Sequence, residues 1–93
     1  MKKVFKARIR LSTIQDIQLF VSTVSMTDME VDLSSQRYVV DGKSIMGIYS
    51  LDLLNPIMLL VYPAEGQDAA AEALMEKLTK FIVEKLPTEE LPA

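Results

Sequence analysis

The stretch VDGKSIMGIYSL, residues 40–51, sits between two apolar segments and holds the fewest local options of any part of this 93-residue chain. Ser44 is an N-cap residue type, and its side-chain oxygen can accept a backbone N–H of the turn that follows. The spacing after it predicts a short helix, about residues 45–51, that buries Ile48 and Leu51. LLNP, residues 53–56, ends that segment, because proline restricts the residue before it. An extended run, Tyr38–Val40, leads into that segment.

Outward from this stretch the periodicities change. Phe5, Ala7, Ile9 and Leu11 alternate with Lys6, Arg8 and Arg10, the period of a strand with one buried face. Ser12 and Thr13 offer an N-cap, and Ser12 with Gln15 fits a capping box. Ile14, Ile17, Phe20 or Val21, and Val24 then follow at helical spacing, predicting a helix over 13–25. Met29, Val31 and Leu33 alternate with Glu30 and Asp32, and SSQR, residues 34–37, reads as a turn before the Tyr38–Val40 strand. IMLLVY, residues 57–62, is too short for a helix and reads as a buried central strand. AEG at 64–66 is a turn. Asp68 is expected to cap a last helix with Leu74, Leu78, Phe81 and Ile82 as its apolar stripe, stopped by Pro87.

The predicted order is β-α-β-β-α-β-α. It implies an α+β domain over 1–87, a four-stranded, mostly antiparallel sheet with three helices on one face, and a flexible tail at 88–93. Pattern does not order the strands, and a ferredoxin-like ligand-binding or oligomerising domain would read almost the same way. Lys6, Arg8 and Arg10 are expected to neutralise Glu30 and Asp32 across the sheet.

Composition removes most chemistry. The chain has no cysteine and no histidine. Thiolate nucleophiles, disulfides, the commonest metal ligand and the near-neutral general base are therefore excluded. The net charge of −3 gives no basic surface for nucleic acid. No apolar run approaches the roughly 18 residues of a membrane span, and the alternation in MKKVFKARIRL argues against a signal peptide. A cytoplasmic protein without enzymatic activity, cofactor or metal is expected.

KSIMGIYSL, Lys43–Leu51, resembles the segment around the regulatory serine of HPr, the carrier of the bacterial sugar phosphotransferase system. The likeness in pattern extends from Val4 to about Leu86. It implies the HPr-like open-faced β-sandwich, with Ser44 as a phosphorylation candidate and Lys43, Ile45, Met46 and Tyr49 as protein-binding positions. It also implies protein partners, such as an HPr-kinase-like enzyme or a transcriptional regulator. The family's catalytic histidine lies just before the first helix, followed by an arginine and a proline. Counting back from Ser44 without a gap puts Thr13, Gln15 and Asp16 at those positions, and no one-residue slip brings in a histidine.

An imidazole titrates near pH 6.5, so its neutral nitrogen both accepts and releases a phosphoryl group. A threonine hydroxyl needs a positioned base, and its ester is a poor onward donor. The resemblance thus implies a regulatory binding module of the histidine-less, Crh-like type and not a phosphocarrier. The missing arginine equivalent removes a group that, in the family, helps hold the serine phosphate against a repressor.

Overall fold

Phe5, Ala7 and Ile9 all point into the core from the first strand, as their alternation requires. The computed structural model describes residues 2–36 and 38–91. Its elements are β1 (Lys2–Ile9), α1 (Ile14–Val24), β2 (Glu30–Ser35), β3 (Tyr38–Asp41), α2 (Ile45–Tyr49), β4 (Ile57–Tyr62) and α3 (Asp68–Lys77). A 3-10 turn (Thr79–Phe81), β5 (Ile82–Lys85) and β6 (Glu89–Leu91) complete the described chain.

The strands form one six-stranded sheet in the order β3-β2-β4-β1-β5, with β6 also pairing β1. Every pairing is antiparallel. β1 and β2 therefore run parallel with β4 between them, and β3 turns outward to the edge. A ferredoxin-like domain instead places the third strand in that gap, so the strand order rules out this alternative.

One face of the sheet carries the helices. Ile17, Phe20 and Val24 of α1, Ile48 of α2, and Ala71, Leu74 and Met75 of α3 share a core with Val31, Leu33, Ile57, Leu59 and Val61. Phe20 meets Phe81 edge to face, ring centroids 6.1 Å apart. No buried side-chain nitrogen or oxygen lacks a partner among the described residues. Ile14, read as part of the α1 stripe, is instead 60% exposed.

The last third of the chain departs most from expectation. The helix predicted to run to Pro87 ends at Lys77. Thr79 Oγ1 donates to the Glu76 carbonyl at 2.7 Å, a local bond that competes with helical continuation. The Arg10 amide then donates to the Phe81 carbonyl at 2.9 Å, pinning the chain against the end of β1. Beyond it, β-branched Ile82 and Val83 suit an extended backbone better than another helical turn. Ile82–Lys85 pair with Ala7–Ile9, and Glu89–Leu91 pair with Lys2–Val4. The four-stranded sheet of the sequence reading is thus six-stranded. Residues 89–91, expected in a tail, are part of it; Pro92 and Ala93 lie outside the described residues.

The caps also shift. Asp68 is the first residue of α3 and not its cap; its carboxylate lies 2.7 Å from Lys3 Nζ. Ser34 and Ser35 of the expected turn belong to β2, and the turn falls at Gln36, which takes the left-handed φ of 55°. Arg37 lies outside the described residues.

Candidate functional site

Val40 packs on the core at the end of β3, and the chain then reverses through Asp41–Ser44 into α2. Gly42 fills that reversal because nothing larger fits. A Cβ there would stand 2.8 Å from a Val31 methyl and 3.1 Å from the Val31 carbonyl, to which the Gly42 amide donates at 2.7 Å. Asp41 Oδ1 accepts the Lys43 amide at 2.9 Å, and the Asp41 carbonyl accepts the Ser44 amide at 3.0 Å.

Ser44 is the N-cap of α2, as its residue type predicts. Its hydroxyl oxygen accepts the Gly47 amide at 3.1 Å. The residue is half-buried. Ile48 and Leu51 are buried below it and Ile45 packs partly on the core, whereas Met46 is 74% and Tyr49 is 44% exposed. Met46 and Tyr49 are three residues apart on one helix, so they share a face. The cationic end of Lys43 is elsewhere: Nζ donates to the Thr27 carbonyl at 2.6 Å, tying this turn to the loop after α1. Lys43 thus braces the site without facing the Ser44 hydroxyl.

Thr13 caps α1. Its Oγ1 accepts the Asp16 amide at 3.0 Å, while Asp16 Oδ2 accepts the Ser12 amide at 3.3 Å. The capping bonds therefore run through Thr13 and Asp16, with the Asp16 carboxylate reaching back to the Ser12 amide; Ser12 and Gln15 form no capping box, and Gln15 is exposed. Asp16 puts negative charge on the first turn of α1, where an incoming phosphoryl group would be repelled. α1 lies against α2, so the two caps belong to the same helical layer. Ile14, the first residue of α1, and Leu54, in the segment after α2, are exposed, which periodicity does not distinguish from core positions.

The charges on the open face of the sheet are sorted differently from the expectation. β4 separates β1 from β2, so the basic row does not reach the acidic one. Lys6 Nζ lies 2.6 Å from Glu89 Oε1 and Arg8 Nε lies 3.2 Å from Glu84 Oε1, both partners coming from the C-terminal strands. Asp32 keeps its acidic neighbours. Burial, then the charges of Glu30 and Asp41, raises its carboxyl above the ordinary 3.8. Burial, then Asp32 and Glu30, likewise raises the Tyr62 hydroxyl above its ordinary value of 10.0. No group of His, Cys, Asp or Glu side chains suited to hold a metal ion occurs among the described residues. None of the described helices is long and apolar enough to cross a membrane.

Among solved structures, the fold is similar to the crystal structure of HPr-C-His from Thermoanaerobacter tengcongensis. The TM-score is 0.65 at 23% identity, over 83% of this chain and 90% of that one. It is also similar to the phosphocarrier protein HPr from Bacillus anthracis strain Ames, with a TM-score of 0.56 at 23% identity over 76% and 92% of the two chains. No protein-family profile and no curated protein matches the sequence. The chain thus has an HPr-like fold.

Proposed function

We propose that this protein is a regulatory protein-binding module related to the bacterial sugar phosphotransferase system, cytoplasmic and without enzymatic or phosphoryl-relay activity. The observation that carries the reading is the unequal fate of the two helix caps. KSIMG stands at the start of α2, with Ser44 half-buried at the cap and Met46 and Tyr49 exposed beside it. Thr13 caps the start of α1 in the same way, but there the Asp16 carboxylate stands in the first turn, where it would repel an incoming phosphoryl group. A partner surface is well served by methionine, which adapts, and by tyrosine, which offers an apolar ring with a polar tip.

Phosphorylation of Ser44 by an HPr-kinase-like enzyme would add about −1.5 to −2 charges beside that patch at neutral pH. Lys43 is committed to the Thr27 carbonyl, so the cations that read such a phosphate would come from the partner, a transcriptional regulator being the natural type. The test combines two incubations. Phosphoenolpyruvate with the general phosphotransferase enzyme leaves the mass unchanged, whereas the host's HPr kinase with ATP labels the wild type and not Ser44→Asn. Rapid labelling in the first incubation, or none in the second, overturns the corresponding half of the reading.

A further inference from the structure

The two edges of the sheet are finished in opposite ways. Along β1 the outer edge is covered from Lys2 to Ile9 by residues 82–91, a segment carrying Pro87, the charged residues Glu84, Lys85, Glu89 and Glu90, and a register shift. Proline, charge and irregular register are the features that discourage a further strand from adding. β3, at the other edge, has no proline and keeps one register along its length, and its one charge is Asp41. Tyr38 and Val39 are 67% and 61% exposed.

Its hydrogen-bonding groups face outward in a definite order. The Gly42 amide donates back to Val31, so in an antiparallel ladder positions 42 and 40 face β2 while 41 and 39 face away. The Asp41 carbonyl is taken by the Ser44 amide. The N–H and C=O of Val39 and the N–H of Asp41 therefore line the open edge.

Among the described residues the charge beside that edge is mainly acidic, and the nearby Lys43 ammonium is committed to the Thr27 carbonyl. Asp32 and Asp41 are directly opposite each other in the β2–β3 register, and Glu30 follows on the same face. The ion pairs among the described residues use Lys3, Lys6 and Arg8, and none involves these acids. Asp28, Glu30, Asp32 and Asp41 also line a recess of about 250 Å³, together with Met29, Val31 and Lys43. Like charges directly opposite on neighbouring strands oppose pairing, and a cation between them would relieve this.

We propose that the open edge of β3 receives an extended, basic segment of a partner protein as an added antiparallel strand, with one lysine or arginine of that segment entering the acidic recess. Backbone pairing to Val39 and Asp41 holds the strand, and the acids select its charge. A second copy of this chain fits less well, since it would bring another acidic cluster to the same sheet face. This surface is distinct from the Met46–Tyr49 face of α2 and does not depend on Ser44 being modified.

The test uses the full chain and a capped hexapeptide alternating valine and arginine. Hydrogen exchange at Val39 and Asp41 is expected to slow about tenfold when the peptide is at roughly ten times its Kd. The same peptide N-methylated at alternate residues keeps its charge, cannot pair, and is expected to give no protection. Asp41→Asn, which keeps an acceptor for the Lys43 amide, is expected to weaken binding several-fold. Val39→Pro, which removes an outward N–H and no hydrogen bond of the β2–β3 ladder, is expected to abolish it. Equal binding of the N-methylated peptide, changes confined to Met46 and Tyr49, or concentration-dependent protection without peptide would each overturn the proposal.

Discussion

Ser44 Oγ and Gly47 hold each other at the limit of approach: the Gly47 amide donates to that oxygen at 3.1 Å, and a Cβ on Gly47 would stand 3.2 Å from it. The cap and the glycine therefore act as a unit. Ser44→Ala is expected to cost about 0.5–2 kcal/mol and Ser44→Asn much less, since asparagine also caps.

Gly47→Ala gains roughly 1 kcal/mol of helix propensity but presses on Ser44 Oγ and on Val40 Cβ, also 3.2 Å away. In a Ser44→Ala background the first of these contacts is gone, so alanine at 47 is expected to be better tolerated there. Urea midpoints of the four proteins measure the coupling, and strictly additive effects would separate the glycine from the cap.

The C-terminal strands give a second prediction. Ending the chain after Pro87 removes the pairing of Glu89–Leu91 and the Lys6–Glu89 ion pair. Surface pairs and net hydrogen bonds are each worth about 1 kcal/mol or less, so a loss of about 1–2 kcal/mol is expected. Phe81→Ala, which empties the core beside Phe20, is expected to cost about 3–5 kcal/mol. Equal shifts in urea midpoint would mean that β6 is as central as the core.

pH dependence follows from Asp32. Its carboxyl titrates above 3.8 in the fold, so the protonated form is the one the fold favours. That contribution is fully present below 3.8 and is lost as pH rises through the folded value. Asp32→Asn is therefore expected to unfold at higher urea than wild type at pH 7, with the difference shrinking as pH falls toward 3.8 and below. A difference that stays constant with pH would assign the effect to packing.

The relay site gives a fourth. Thr13→His is expected to leave phosphoryl transfer near background, because Asp16 still carries negative charge into the first turn and Gln15 supplies no cation. Rapid labelling of the single variant by the general phosphotransferase enzyme would show that the imidazole alone suffices.

Much of this was legible in the sequence where a residue's own chemistry decided its place. Ser44 caps α2 because a side-chain oxygen before a short helix has one good use, and IMLLVY is the central strand β4 because a short apolar run between prolines suits a strand with neighbours on both edges, although only its alternate residues Ile57, Leu59 and Val61 are buried. Phe81 was rightly assigned to the core, yet on the wrong element. Apolar residues at 74, 78, 81 and 82 satisfy a helix as well as a helix followed by a strand. What decides between them is Arg10, which meets Phe81 from across the molecule. The acidic row was misjudged for a related reason. Whether Lys6 stands beside Asp32 depends on which strand fills the gap between β1 and β2, and alternation carries no strand order.

The position of β1 has a consequence for how the protein is made. β1 leaves the ribosome before every strand that flanks it in the finished sheet, β4 and residues 82–91; Lys6 and Glu89, which the fold joins, are 83 residues apart in sequence. Contacts of such separation form late, after the entropy of closing long loops has been met. During synthesis β1 must therefore wait with both edges bare, while the β2–β3 hairpin can close early on local contacts alone. The alternating charges Lys6, Arg8 and Arg10 then serve a second purpose, keeping a waiting strand soluble until the residues that shield it have been translated.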